Sequence, residues 1–146
     1  MTYKINKRDD SKLECKILEF SNTDFKTESG HELPIFNVAY KTFGTINKKK
    51  DNAILICHAL TGDQYVTGFN PITKKDGWWS RMVGPNKPID TNKFFVICSN
   101  VLGGCAGTSG PKEIELKNEK PYGVKFPSIT IKDIVKAQNY LIDALE

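Results

Sequence analysis

The amino-acid sequence predicts an α/β protein, and three features predict it. Two short apolar runs, residues 53–57 and 94–98, show no polar alternation, which is typical of parallel strands buried on both faces. Each run opens directly into a loop of small and polar residues, where open α/β sheets place their ligands. A helix is predicted from residue 131, with Thr130 as its N-cap and Asp133 three residues later.

The region before the first apolar run predicts antiparallel strands. Ser29-Gly30 separates two short extended segments, and this dipeptide favours a β-hairpin turn. The second arm continues as a strand over 35–41, and Pro34 indicates that this strand starts there or lies near an edge. Alternation at period two puts three large residues on one face of it: Phe36, Val38 and Tyr40.

The rest of the chain predicts a long connection and an amphipathic helix. About 35 residues join the two apolar strands, with one short helical candidate at 78–83, and connections of that length are usually functional. A helix of this kind normally leads to another parallel strand, so we expect an open sheet edge and an uncovered apolar helix face. Its apolar stripe consists of Ile131, Ile134, Val135, Leu141, Ile142 and Leu145.

Length and composition exclude several classes of protein. The 146 residues suit one modest domain, and we expect a leader at 1–22 followed by an incomplete core at 23–146. The net charge of +4 comes mostly from scattered lysines, which does not indicate nucleic-acid binding. No apolar segment is long enough to span a membrane, and no secretory signal is evident. The four cysteines form no metal-binding or disulfide pattern, so we expect a reduced, cytoplasmic protein without a metal site.

The loop at 98–111 fits none of the common phosphate or nucleophile motifs. It contains no Gly-Lys dipeptide, and Gly103-Gly104 with Gly107 does not match the dinucleotide fingerprint. Ser109 follows its strand by about ten residues and precedes Gly110-Pro111, whereas a nucleophile elbow needs a strand directly before it and a helix directly after it. We therefore interpret Ser109 as a loop residue.

Four further side chains need an interpretation, either chemical or structural. Cys105 with His58 would be a thiol nucleophile and its base, although a lone histidine at a strand end is more often structural. Cys57 and Cys98 lie in the apolar runs and are interpreted as small core residues.

The turn that starts at His58 is the better candidate site. In acyl-transfer enzymes of the α/β-hydrolase class, a backbone N–H in the loop after the third strand stabilises the developing oxyanion. Such a donor is worth about 3–4 kcal/mol when it is well placed, whatever side chain the residue carries. Position rather than residue type therefore supports this assignment.

At this point the sequence resembles the homoserine O-acetyltransferase family, from about residue 23 to the C-terminus. The blocks that carry the resemblance occur in the family's order, at 38–44, 57–63, 77–79, 83–85, 89–91, 98–111, 120–123 and 126–133. The resemblance implies the N-terminal part of an α/β-hydrolase fold, with an antiparallel hairpin followed by parallel strands and no nucleophile elbow. It also implies acetyl transfer from acetyl-CoA to the hydroxyl of L-homoserine, a step of methionine biosynthesis, through an acyl-serine.

The resemblance further implies which residues of this chain take part. The backbone N–H of Leu60 matches an oxyanion donor, and the acyl pocket is expected to involve Thr61, Gly62, Asn100, Gly103 and Gly104. The catalytic serine, aspartate and histidine are expected beyond Glu146, as is the helical lid, so no catalytic side chain is assigned within 1–146. Acetyl-CoA is expected as co-substrate with no permanently bound cofactor, and the intact protein is expected to be a homodimer.

Two alternatives remain open. In the first, pocket residues outside this sequence select succinyl-CoA as the acyl donor or serine as the acceptor. A different class of function is a half-length binding or assembly module without catalysis.

Overall fold

The computed structural model describes residues 2–5, 13–115 and 119–145, which build one five-stranded sheet, three small ribbons and one α-helix. The strands are β1 (Thr2–Ile5), β2 (Lys16–Ser21), β3 (Ile35–Phe43), β4 (Ala53–Ile56), β5 (Phe69–Asn70), β6 (Lys75–Asp76), β7 (Val83–Gly84), β8 (Ile89–Asp90), β9 (Phe95–Ser99), β10 (Ile114–Glu115) and β11 (Lys120–Pro121). A single 3-10 turn (Gly123–Lys125) precedes helix α1 (Ile131–Leu145).

The main sheet has the order β1-β2-β3-β9-β4. Strands β1, β2, β3 and β9 pair antiparallel, whereas β4 lies parallel to β9, with Ile56 opposite Cys98. The predicted α/β architecture, an antiparallel part followed by parallel strands, is therefore confirmed. Strand β3 begins directly after Pro34 and lies between β2 and β9, so Pro34 marks a strand start and not a sheet edge.

The segment that we expected to be a leader contributes two strands to this sheet. β1 pairs with β2 and β2 with β3, and Phe20 is fully buried. Ile17, Leu18 and Phe20 of β2 are buried, so both faces of the strand pack, while Lys16 at its start remains exposed to solvent. The described part of residues 1–22 is thus continuous with the core; residues 1 and 6–12 lie outside the described residues.

The sheet is covered on both faces, which explains why β4 and β9 are apolar except for the last residue of β9, Ser99. Helix α1 and the turn at 25–33 cover one face, where Phe20, Phe25, Phe36 and Tyr140 form a cluster of contacting rings. The long connection covers the other face, and its buried residues there include Val66 and Val83. The helical candidate at 78–83 is not a helix: residues 78–82 form turns, and Val83 begins β7.

Helix α1 begins as the sequence predicts. The Thr130 N–H and hydroxyl both lie within hydrogen-bond distance of Asp133 Oδ2, at 2.9 and 3.1 Å, and the Asp133 N–H donates back to the Thr130 hydroxyl at 3.3 Å. The apolar stripe is divided: Leu141 is fully buried, whereas Ile131 and Val135 are 75% and 47% exposed, as expected for an uncovered face. The other buried residues of the helix are Asp133, Ala137 and Gln138, which the stripe did not include.

Among the described residues, no helix has the length and apolar character needed to cross a membrane.

Candidate functional site

The carboxyl ends of β4 and β9 border a cavity of about 520 Å³. Because the two strands are parallel neighbours in register, their following loops start side by side at the same sheet edge. The segment after the 3-10 turn and the start of α1 close the opposite wall. All six residues assigned from the sequence line this one cavity: Leu60, Thr61, Gly62, Asn100, Gly103 and Gly104.

The polar groups of interest in the turn after β4 are backbone N–H groups and not side chains. The Gly62 N–H donates to the Ala59 carbonyl at 2.7 Å and closes the turn. The Leu60 side chain is 89% exposed, and none of the described residues accepts a hydrogen bond from the Leu60 N–H. An N–H group in a residue that lines a cavity, with no acceptor among the residues that the structure describes, has the character that an oxyanion donor requires.

Gly62 is required by the close packing of this turn. A β-carbon at Gly62 would lie 2.9 Å from His58 Cβ and 3.1 Å from the Ala59 oxygen. Any larger residue would therefore push the turn away from the histidine beneath it.

His58 connects the two loops that border the cavity. Its side chain is 9% exposed, and both ring nitrogens contact backbone groups. Nδ1 lies 2.6 Å from the Ala59 oxygen, and the Val101 N–H donates to Nε2 at 3.3 Å. With both nitrogens engaged, His58 has no free position for Cys105, and the thiol–base interpretation loses its geometric basis.

The loop after β9 is held against β3 by its own buried hydroxyl groups. The Ala39 N–H donates to the Thr108 hydroxyl at 3.0 Å, and that hydroxyl donates to the Asn100 carbonyl at 2.7 Å. The Asn37 N–H donates to the Ser109 hydroxyl at 2.8 Å. Ser109 is 4% exposed, so it is a loop residue, as predicted, and not a nucleophile.

Asn100 links this loop to β3 and to the loop's own backbone through hydrogen bonds. It is 3% exposed, its N–H donates to the Ala39 carbonyl at 2.8 Å, and its Oδ1 accepts from the Ala106 N–H at 3.1 Å. Gly104 covers that amide so closely that a β-carbon there would lie 2.6 Å from Asn100 Oδ1. Gly103 adopts a φ of +82°, a left-handed conformation that glycine tolerates best.

The opposite wall is apolar and was not assigned from the sequence. It includes Val124, Phe126, Pro127, Ile129 and Ile134. Residues 126–133 belong to a block of the family resemblance, but no local pattern places them against a loop more than twenty residues earlier. Only the tertiary fold brings them together.

The cysteines differ in environment. Cys98 is fully buried, and burial raises the pKa of its thiol to about 12. Cys105 and Cys57 are exposed, so the interpretation of Cys57 as a core residue is wrong; β4 ends at Ile56, and Cys57 already belongs to the turn. Within the described residues, no three His, Cys, Asp or Glu side chains cluster in a way that could hold a metal ion.

The chain is similar to known proteins over most of its length, although no family model matches it. It is 58% identical over 120 residues to a protein named homoserine O-acetyltransferase from Rhodospirillum rubrum, covering 82% of this chain and 31% of that protein. A protein of the same name from Deferribacter desulfuricans is 57% identical over 123 residues, covering 84% and 33%. The chain thus spans about a third of the length of these curated relatives.

Solved structures agree with this picture. Esterase E22 superposes with a TM-score of 0.79 at 32% identity, over 90% of this chain and 38% of the esterase. A homoserine O-acetyltransferase from Bacillus anthracis superposes with a TM-score of 0.78 at 32% identity, over 90% of this chain and 37% of that one. Both neighbours have the α/β-hydrolase fold, which confirms the predicted fold class.

Proposed function

Because the chain matches the N-terminal portion of the homoserine O-acetyltransferase family, we propose that the intact protein transfers an acetyl group from acetyl-CoA to the hydroxyl of L-homoserine. The transfer proceeds through an acyl-serine. The serine, its histidine and its aspartate come from sequence outside these 146 residues, and the chain alone is inactive. Acetyl-CoA acts as a co-substrate, and no resident cofactor or metal is needed.

The observation that carries the proposal is the convergence of all six assigned residues on one cavity, together with a Leu60 N–H that donates to none of the described residues. Attack on a thioester or ester carbonyl moves negative charge onto its oxygen, and a fixed backbone donor stabilises that charge more in the transition state than in the ground state. The cavity volume lies within the range of small-molecule sites.

The part of the cavity lining that this chain contributes is compatible with an acetyl donor. No described residue that lines it carries a positive charge, and one wall is formed by apolar side chains. A succinyl group ends in a carboxylate, and burying that charge without a cationic partner is unfavourable. An acetyl group carries only a methyl, which the apolar wall accommodates.

The first experiment is a donor and acceptor comparison on the intact protein. Acetyl-CoA and succinyl-CoA are each combined with L-homoserine and L-serine, and release of free CoA thiol is measured. We expect the highest kcat/KM for acetyl-CoA with L-homoserine. A preference for succinyl-CoA or L-serine would replace the proposed substrates, and no acyl transfer at all would favour a binding or assembly module.

A matched pair of substitutions tests the Leu60 donor. Leu60→Pro removes the backbone N–H, and we expect kcat to fall about 10²–10³-fold. Leu60→Ala keeps the N–H and changes only an exposed side chain, so kcat should stay within about twofold. Thermal unfolding of both variants checks that the proline substitution does not act by unfolding the protein. Equal kcat values for the two variants would contradict the assignment.

The inactivity of the chain alone is tested separately. Purified 1–146 is incubated with acetyl-CoA and L-homoserine beside a denatured control. Turnover above that control would show that the catalytic groups lie within the chain.

Hydrolysis of acetyl esters is a second candidate, favoured by the likeness to esterase E22. Water would then replace the amino-acid hydroxyl as acceptor of the same acyl-serine. Hydrolysis of p-nitrophenyl acetate that L-homoserine does not slow, together with no transfer to L-homoserine, would favour the esterase.

A further inference from the structure

We propose that His58, neutral and protonated on Nδ1, is a positioning residue that fixes the Leu60 turn relative to the loop at 100–111. This inference rests on the proposed function for its catalytic consequence, but its physical basis is independent of it. The imidazole links two segments that are 43 residues apart in sequence and lie on adjacent sides of the cavity.

The two contacts of the ring permit only one protonation state. Nδ1 faces a carbonyl oxygen at 2.6 Å and must donate, whereas Nε2 faces the Val101 N–H at 3.3 Å and must accept. The Nε2–H tautomer would set two acceptors against each other at Nδ1 and two donors against each other at Nε2. The doubly protonated ring would still oppose the Val101 N–H. The Nδ1–H tautomer is therefore the one that satisfies both contacts.

The position of the ring makes the link rigid. His58 directly follows Cys57, at the end of β4, and is almost completely buried. Gly62 packs onto its Cβ, so the turn that carries the Leu60 N–H folds over the imidazole. Fixing one end of this turn lowers the freedom of the N–H without placing a side chain in the cavity, which is the pre-organisation that a backbone donor needs.

Two isosteric substitutions separate the two contacts. His58→Gln can bring an amide oxygen near the place of Nε2 and retain an acceptor for the Val101 N–H. His58→Asn can mimic only Nδ1 and loses that acceptor. We expect His58→Gln to keep kcat within about threefold and His58→Asn to lower it about tenfold, with the KM for L-homoserine nearly unchanged in both. A tenfold change corresponds to about 1.4 kcal/mol, which lies within the range of one hydrogen bond. A role in folding alone would lower the melting temperature of both variants but leave kcat per folded molecule unchanged.

Nitrogen NMR of the intact protein tests the tautomer directly. The signals of His58 are identified by their loss in His58→Gln, and we expect Nδ1 to carry the proton at pH 8. Hydrogen exchange of the Val101 amide should be about tenfold faster in His58→Asn than in the unsubstituted protein. A proton on Nε2, or an unchanged Val101 exchange rate, would overturn the proposal even if acyl transfer is found. Absence of acyl transfer in the unsubstituted protein would instead refute the proposed function and leave these two measurements to decide on His58.

Discussion

Replacing the Thr108 hydroxyl tests how the loop that lines the cavity is held. The hydroxyl accepts from the Ala39 N–H and donates to the Asn100 carbonyl, and both backbone groups belong to buried residues. Thr108→Val keeps the shape but leaves one donor and one acceptor unpaired. Each unpaired buried group costs about 1–3 kcal/mol, partly offset by the better burial of a methyl than of a hydroxyl. We expect a net loss of about 2–4 kcal/mol.

Thr108→Ser is the matched control, because it keeps the hydroxyl and removes one methyl. That deletion costs about 1 kcal/mol. The free energy of unfolding is measured by urea denaturation, followed by fluorescence of the two tryptophans, Trp78 and Trp79. Hydrogen exchange of the Ala39 amide provides a local measurement, and it should accelerate in the valine variant only. If Thr108→Val is as stable as Thr108→Ser, the two hydrogen bonds do not hold the loop and the reasoning is wrong.

Three further predictions concern burial, charge and close packing. Because burial raises its pKa, Cys98 should be the last cysteine labelled by a thiol reagent at pH 8, as mapped by mass spectrometry. Backbone N–H groups of Asn92 and Asn86 donate to the Asp90 carboxylate and lower its pKa from the ordinary value of 3.8. The ionised carboxylate therefore stabilises the folded protein above pH 3.8, and this contribution is lost as the pH falls through the lowered pKa of the folded state. Asp90→Asn should flatten the acid limb of the stability profile, as measured by urea denaturation across pH. Gly104→Ala should lower kcat and stability together, since its methyl meets a buried amide, and an unchanged melting temperature would contradict this.

The sequence predicted elements whose signals are local. Thr130 and Asp133 lie three residues apart, and their reciprocal hydrogen bonds follow from that spacing alone. Which side of the helix packs is a tertiary property. Ala137 and Gln138 are buried because they face the sheet, although neither belongs to the apolar stripe.

The N-terminal strands were missed for a related reason. β1 is only four residues long, and β2 mixes charged with apolar residues without regular alternation, so neither gives a clear strand signal by itself. The apolar residues of β2 are buried because β3 pairs beside it. The same limit applies to the cavity. The loops after β4 and β9 were identified because they follow strand ends. Phe126 also lines the cavity, but it is distant in sequence from both strand ends, and no local pattern predicts that position.

The polar groups that the two loops present to this cavity are largely backbone groups. The side chain of a residue that lines the cavity therefore need not determine how much that residue contributes to kcat. The side chain of Leu60 points to solvent, so its identity should matter little although its N–H is the proposed donor. Residues that never need to touch the substrate should matter more. His58 fixes one end of the turn, Gly62 allows the turn to close over it, and Thr108 holds the neighbouring loop. A site of this kind is specified by the residues that shape the backbone behind it, so substitutions there should lower kcat more than substitutions at the exposed rim.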